Sequence, residues 1–508
     1  MSVKTNKPVI FVGKDVLELL SSSIYVNPLS VFREYIQNAA DAIDEAVELG
    51  ILKSVDEGKI RIVLDYVNRR VVIRDNGCGL SNEDFSEKMV TFGASKKKDT
   101  GARGFRGVGR LSSLGYVQQL IFRSRAIGDK KVLEATWNGH KIKEILALGD
   151  PNVDLNMIVQ EALTINNLNP EGFPPHFFEV ELVRPRRIAN DKLLNEIEIE
   201  NYISQVCPCP FAPKFKFGDE ISKLLAPHGM AGKYYKIYIN NDQNPIFRPY
   251  QDYIEYSNLK KAKLHNLKTF KIEGIDGNIA AIVWLIHHEY MGAIPTSLGV
   301  KGLRSRIGNI QIGDDRQFIG IFPEDRFCSW TIGEVHVLDS RAIPNSRRDE
   351  FEINIHLENI ISNLRPLGLE IARKCRLTSQ KRNRKKLFEH AREMINEKID
   401  IIVQNAVSEQ HSKSLKSDIN LHLIEMRKVL EFDLFCAEDL RLLKRQLKST
   451  EKSIKEFLPR TKGNLFDTLP VQERRIYKEM FDLIYECSPN RGVAKKLVDK
   501  ILDNLGQK

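Results

Sequence analysis

Apolar residues alternate between helical and strand spacing up to about residue 365 and keep helical spacing beyond it, and the chain reads as three parts. Over residues 31–49 they recur at helical spacing, including Val31, Tyr35, Ala39, Ala42, Ile43 and Ala46. Ile60-Arg61-Ile62-Val63-Leu64 then reads as a strand, and after a turn near Asn68 a second strand follows at 71–74. Further strand-like runs lie at 117–125, 132–137 and 177–183, while 147–175 is polar, rich in Asn and Pro, and reads as an inserted loop. Residues 1–185 are therefore expected to form one α/β domain and 186–365 a second, with strands at 234–239, 278–286, 307–312 and 333–338. From 366 to 508 the pattern is helical. Ile395, Ile399, Ile402 and Ala406 repeat at four, three, four, and Ile419, Leu423, Met426 and Leu430 do the same. Such short stripes fit helices packing together or a helical dimer interface; Asp433 falls on the seam, which argues against one long coiled coil.

Composition narrows the class. With 42% hydrophobic and 28% charged residues, each part can bury a core. Lys and Arg number 77 against 67 acidic residues, a net charge of +10 that permits contact with nucleic acid without demanding it. Seven scattered cysteines suit a reducing compartment, and Cys207-Pro-Cys209 lacks the second Cys or His pair that a zinc site needs. Val9-Ile10-Phe11-Val12 is broken by Gly13-Lys14-Asp15, unlike a signal peptide, and the longest apolar run, 279–286, suits a buried strand and is too short for a bilayer. A cytoplasmic protein without membrane contact is expected.

Three motifs carry candidate chemistry. In Arg33-Glu34-Tyr35-Ile36-Gln37-Asn38-Ala39-Ala40-Asp41, residues Glu34, Asn38 and Asp41 share one helix face. An amide oxygen at Asn38 suits Mg²⁺, and a carboxylate one turn earlier suits deprotonation of a water. In Asp75-Asn76-Gly77-Cys78-Gly79 a carboxylate at a strand end can accept from an exocyclic amine, while Gly77 and Gly79 let backbone approach a flat ring. Gly101-Ala102-Arg103-Gly104-Phe105-Arg106-Gly107-Val108-Gly109-Arg110, followed by Leu111-Ser112-Ser113-Leu114, reads as glycine-rich backbone entering a helix, a source of N–H donors for phosphates. No Gly-Lys-Ser/Thr closes it, so it is no Walker loop. Taken singly, each motif also fits an ordinary solvated helix face, a tight turn or a solvated loop.

Their order is more specific than any one of them. Residues 15–185 resemble the GHKL (Bergerat-fold) ATPases, which include type II topoisomerases, ninety-kilodalton heat-shock chaperones, MutL, MORC proteins and histidine kinases. The resemblance implies an α/β-sandwich ATPase domain that takes ATP and Mg²⁺. It makes Glu34 the general base, Asn38 the Mg²⁺ ligand, Asp75 the acceptor for the adenine amine and Asp41 a support for the pocket. It makes residues 92–110 a lid over the phosphates, with Lys96, Lys97, Gly104, Phe105, Arg106, Gly107, Val108 and Gly109 among its contacts. The family's Gly-Thr before its last core strand is missing: Pro174-Pro175-His176-Phe177 stands there instead.

Asp339-Ser340-Arg341-Ala342-Ile343-Pro344-Asn345-Ser346-Arg347-Arg348-Asp349 resembles the chaperone middle-domain segment whose arginine reaches the γ-phosphate, which falls on Arg348 with Arg347 as alternate. The expected architecture is thus a Bergerat domain, an S5-like α/β middle domain and an α-helical C-terminal region. The expected function is a chaperone-like or MORC-like homodimeric clamp acting on a macromolecular client or partner protein. Two alternatives stay open: a DNA-directed clamp working with a nuclease or helicase in genome maintenance or defence against foreign DNA, and a nucleotide-switched scaffold with little turnover. The basic run Gln380-Lys381-Arg382-Asn383-Arg384-Lys385-Lys386 keeps nucleic acid in view.

Overall fold

Helix α1 (Ser30–Glu48) forms where the 3.6-residue period runs without Gly or Pro. Asn27 starts it by accepting the Leu29 N–H at 3.1 Å on its side chain. Gly50, at φ 71°, ends it in the left-handed turn typical of a helix C-terminus. The inner face of α1, with Val31, Phe32, Ile36 and Ile43 fully buried, is part of one core with the sheet that follows. The structure is a computed structural model describing residues 27–91, 109–147, 155–188, 190–230, 232–240, 243–257, 260–457 and 469–505.

That sheet has seven strands: β1 (Lys59–Asp65), β2 (Arg70–Asp75), β3 (Gln119–Arg125), β4 (Val132–Asn138), β5 (Leu163–Leu168), β6 (Phe177–Val183) and β7 (Lys236–Ile239). Their spatial order is β5-β4-β3-β6-β2-β1-β7. All described neighbours pair antiparallel except β1 and β7. Ile60, Ile62, Leu64, Val71 and Ile73 alternate into the core. The opposite face carries a cross-strand ladder in which Arg123 bonds Glu134, Glu179 and Glu181, while Arg74 and Arg70 reach Glu179 and Glu181. The sheet draws β7 from beyond residue 185, where the sequence pattern placed a domain boundary. Asp44 on α1 ties down the approach to β7 by accepting from Lys233 at 2.6 Å and from the Tyr235 hydroxyl at 2.5 Å.

Helix α2 (Asn82–Val90) lies between β2 and β3, and α3 (Gly139–Ala147) follows β4. The loop expected over 147–175 is a misreading: α4 (Leu155–Ala162) and β5 occupy much of it. Leu155, Ile158, Val159 and Ala162 do repeat at helical spacing there, and Ile158 and Ala162 are buried. β5 is an edge strand exposed along most of its length, so its Thr and Asn residues mimic a loop.

After α5 (Glu196–Val206) and α6 (Gly218–Leu225) come the ribbon β8 (Tyr253–Ser257) and β9 (Lys260–Lys263), then a five-stranded sheet. It is built from β10 (His265–Glu273), β11 (Ile279–His287), β12 (Gly302–Ile307), β13 (Ile310–Ile312) and β14 (Ile332–Val337) in the order β10-β11-β14-β12-β13. The long apolar run is the inner strand β11. The single strand expected at 307–312 is a hairpin instead, because Gly308 and Asn309 both take positive φ between β12 and β13.

By its contacts the chain divides into two units, Met1–Ala372 and Arg373–Lys508. Helix α7 (Ile355–Gln404) contributes to both, and α8 (Glu409–Glu431), α9 (Ala437–Phe457), α10 (Val471–Cys487) and α11 (Arg491–Leu505) belong to the second. Of the two apolar stripes, Ile395, Ile399, Ile402, Ile419 and Met426 are buried in this helical unit's own core. Among the described residues no helix is long and apolar enough to cross a membrane.

Candidate functional site

The polar face of α1 is buried where solvent would be expected. Glu34 and Asp41 are 7% and 8% exposed, and Asn38 is half-buried. The Arg33 guanidinium holds Glu34 through Nε and Nη2, each 3.2 Å from Oε1. The same Nη2 donates to the carbonyl of Arg347 at 2.8 Å. One turn along α1, Gln37 Oε1 accepts from Arg348 Nη1. The segment carrying Arg347 and Arg348 thus reaches α1 on both sides of Glu34. It is a tight loop: Pro344 bridges Phe351, Arg348 N–H donates to Asn345 at 3.2 Å, and Gly313 N–H donates to Arg348 at 2.9 Å. Arg348 takes φ 56°, a left-handed conformation that a bulky residue adopts only when its surroundings impose it. Among the described residues Asn38 has no side-chain hydrogen-bond partner, leaving its amide oxygen available to a cation.

Asp75 ends β2 next to α1, 5% exposed. Its Oδ1 accepts the Gly77 N–H at 2.8 Å. Burial pushes its carboxyl up to about 7, against the pull of the Gly77 and Phe178 backbone donors. A carboxyl so placed is short of a donor, and an amine would supply one. Gly77 is required by packing, since a Cβ there would lie 2.7 Å from the Ala42 Cβ on α1. Gly79 combines φ +70° with a Cβ position 2.1 Å from the Arg125 carbonyl, so no side chain fits. The turn is also pinned by His176, whose Nδ1 lies 2.8 Å from the Gly77 carbonyl, and by Ser124, which accepts from Leu80 N–H at 2.7 Å.

The described residues that flank the glycine-rich segment are tied to α1 and to each other. Tyr35 on α1 donates its hydroxyl to the Arg110 carbonyl at 2.9 Å and pairs with Ser113 Oγ at 2.5 Å. Arg110 in turn donates to the carbonyl of Thr91, which caps α2. Lys96, Lys97, Gly104, Phe105, Arg106, Gly107 and Val108 lie outside the described residues. Gly109 opens a short 3₁₀ turn, Gly109–Leu111, followed by further turns, where the sequence suggested a helix. Leu111 and Leu114 are both buried, which explains the helix-like spacing.

The structure therefore brings Glu34, Asn38, Asp41, Asp75, Gly77 and Gly79 together around α1 and adds Arg348. Sequence reasoning missed Arg33, Gln37, Tyr35, Ser113 and His176. Arg33 and Gln37 sat inside the first motif without a role. Tyr35 counted only as an apolar position, and His176 only as part of the segment that stands where the family's Gly-Thr is missing, without a role.

Comparison with known proteins bears on the first part of the chain. Residues 26–161 match the family of histidine kinase-, DNA gyrase B- and HSP90-like ATPases. The chaperone protein HtpG of Rickettsia typhi is 32% identical over 152 residues, covering 27% of this chain and 24% of its own. HtpG of Orientia tsutsugamushi is 30% identical over 156 residues, covering 27% of this chain and 25% of its own. The chain thus spans about a quarter of the length of the curated relatives it matches. Residues 26–161 thus match a GHKL-type ATPase domain, within a mixed α/β chain whose C-terminal region is helical.

Proposed function

We propose that this chain binds ATP with Mg²⁺, hydrolyses it to ADP and phosphate, and uses the cycle to move a homodimeric, chaperone-like clamp on a macromolecular client. Glu34 takes the proton of the water that attacks the γ-phosphorus as the bond to ADP breaks. Asn38 holds the metal, which when bound neutralises charge on the phosphate oxygens. Asp75 accepts from the adenine amine over Gly77 and Gly79, Asp41 supports the pocket from the same helix, and Lys96, Lys97 and residues 104–109 cover the phosphates. Arg348 acts as the sensor arginine of the middle part. The three functional parts are the nucleotide domain, this middle part and the helical region, in a cytoplasmic protein.

The observation that carries the reading is the contact of Arg347 and Arg348 with Arg33 and Gln37, on either side of Glu34. A scaffold that only binds nucleotide has no need of a buried carboxylate that Arg33 ties to the loop of Arg347. Phosphate release from ATP by the full chain, measured beside equilibrium ATP binding, tests the proposal. Binding without release in the native chain would return it to a switched scaffold.

For the dimer, the support is apolar surface on the helical unit outside its core. Leu421 and Ile424 on α8 are 58% and 45% exposed. Light scattering of the native chain and of a Leu421→Lys, Ile424→Lys variant measures this contribution. The DNA-directed alternative is less favoured, because part of the basic run is engaged within its own unit. Lys381 pairs with Asp439, and Arg384 stacks 3.9 Å above the Phe432 ring. Stimulation of turnover by DNA would restore that reading.

A further inference from the structure

The end of the first sheet remote from Asp75 carries a second cleft. β2 runs from Arg70 to Asp75, so at about 3.3 Å per residue the two ends lie roughly 17 Å apart. The cleft has a volume of 480 Å³ and is lined by Arg69, Arg70, His140, Lys143, Arg184 and Arg186, together with small apolar and amide side chains; none of its lining residues is acidic.

Arg69 and Arg70 already have carboxylate partners, and His140 has one within reach. Arg69 pairs with Asp191 at 2.6 Å, Arg70 with Glu181 at 3.1 Å, and His140 faces Glu144 at 3.2 Å. Lys143, Arg184 and Arg186 have no carboxylate partner among the described residues. Lys143 bonds only the Gly115 carbonyl, at 3.1 Å. Burial, and then repulsion from Arg186, pull its ammonium down to about 8. Two like charges thus face one cleft with no counter-ion built in.

The frame around them is rigid. Arg184 N–H donates to the Arg69 carbonyl at 2.8 Å, Arg186 N–H to Tyr116 at 2.7 Å, and Gln118 N–H to Val183 at 3.1 Å. Arg69 and Arg184 both hold left-handed backbone, at φ 53° and 48°. Helix α3 can bring His140 and Lys143 to the rim because Gly139 lies where a Cβ would come within 2.8 Å of the Val117 carbonyl.

We propose that this cleft binds a small oligophosphate, a molecule with two or more linked phosphoryl groups, at a site separate from the nucleotide pocket. Three unpaired cations match several linked negative charges better than a single one. The volume suits a small molecule, and the fixed rim means little ordering cost on binding.

Titration calorimetry with inorganic tripolyphosphate on the full chain tests the proposal. Binding at physiological ionic strength is expected to weaken by about tenfold in Arg186→Gln and further in Lys143→Gln/Arg184→Gln/Arg186→Gln. Adenosine, which has no phosphoryl group and reports only on the nucleotide pocket, should bind unchanged in both, which also certifies their folding, and inorganic monophosphate should bind more weakly than tripolyphosphate. The exposed Arg186→Gln change keeps the test valid if the triple variant misfolds. No tripolyphosphate binding, or equal binding by native chain and Arg186→Gln, would overturn the proposal. A single-stranded oligonucleotide that binds more tightly than tripolyphosphate and is weakened by the same changes would overturn it too, by making the cleft part of a nucleic-acid surface.

Discussion

The guanidinium of Arg33 donates to the backbone carbonyl of Arg347 at 2.8 Å while also holding the Glu34 carboxylate. One side chain thus links the candidate general base to a loop 314 residues away in sequence. The same loop meets α1 again one turn later through the Arg348–Gln37 bond.

Arg33→Ala and Arg348→Ala are therefore expected to lower kcat by about tenfold or more while changing ATP affinity little, since each removes a charge-assisted bond near the reacting end. The double variant should lose less than the product of the two single effects, because both act on one contact between helix and loop. Turnover and equilibrium binding measured on all four proteins decide this. Strictly multiplicative losses would separate the two arginines into independent roles.

Glu34→Ala should cut hydrolysis by about 10²- to 10⁴-fold and leave ATP binding largely intact. Glu34→Gln keeps the shape and the Arg33 contact but cannot take a proton, so it should be as slow as Glu34→Ala. A Glu34→Gln protein with native turnover would leave Glu34 a merely positioning group.

Asp75 gives a pH signature. Its buried carboxyl is raised from 3.8 to about 7. Below 3.8 it is protonated folded and unfolded alike; as pH climbs from there to 7, the unfolded chain ionises first, so this group's contribution to stability falls across that window. An amine donor favours the ionised form. Adenosine, which has no phosphate to titrate, should therefore bind more tightly as pH rises from about 6 to about 8 and release protons near neutrality. Calorimetry in two buffers of different ionisation enthalpy reads that release. Asp75→Asn should abolish the binding; a native chain that binds adenosine with no proton release would show that Asp75 does not face the amine.

Much of this site was legible because a helix face and a strand end are short-range patterns. Glu34, Asn38, Asp41 and Asp75 could be aligned from spacing, and Gly77 and Gly79 from turn chemistry; close packing on Ala42 and Arg125 explains why glycine stands there. What stayed hidden is long-range or atypical. Gln37 meets Arg348 across 311 residues, and no local period announces such a contact. β5 is exposed along an edge and so lacks the alternation that marks a half-buried strand. The strand β7 carries the right residues, but its parallel pairing with β1 is a matter of topology. The helical stripes were visible, yet spacing alone could not say whether a partner helix or the chain's own bundle would cover them.

The middle sheet offers the sharpest stability test. Glu334 on β14 is fully buried, with Oε2 2.8 Å from Arg248 Nη1 and Oε1 2.5 Å from Arg306 Nε. The Tyr250 hydroxyl donates to Oε1 at 2.9 Å, and His336 Nε2 lies 3.0 Å from Oε2. Burial alone would raise this carboxyl, but Arg248 and Arg306 overcome it and hold it well below its usual 4.5. The sign follows: folded pKa below unfolded means the contribution is present at neutral pH and is lost as pH falls from 4.5 toward the folded value. Glu334→Gln removes the charge facing two buried guanidiniums without removing their burial. Breaking such a cluster costs about 3–5 kcal/mol, far more than a surface pair. Denaturant unfolding followed by fluorescence of Trp284, which is buried in the same sheet, should show that loss at neutral pH and a flatter acid dependence in the variant. A loss near that of an exposed ion pair would mean that water reaches Arg248 and Arg306 and that the cluster is not the closed network its hydrogen bonds describe.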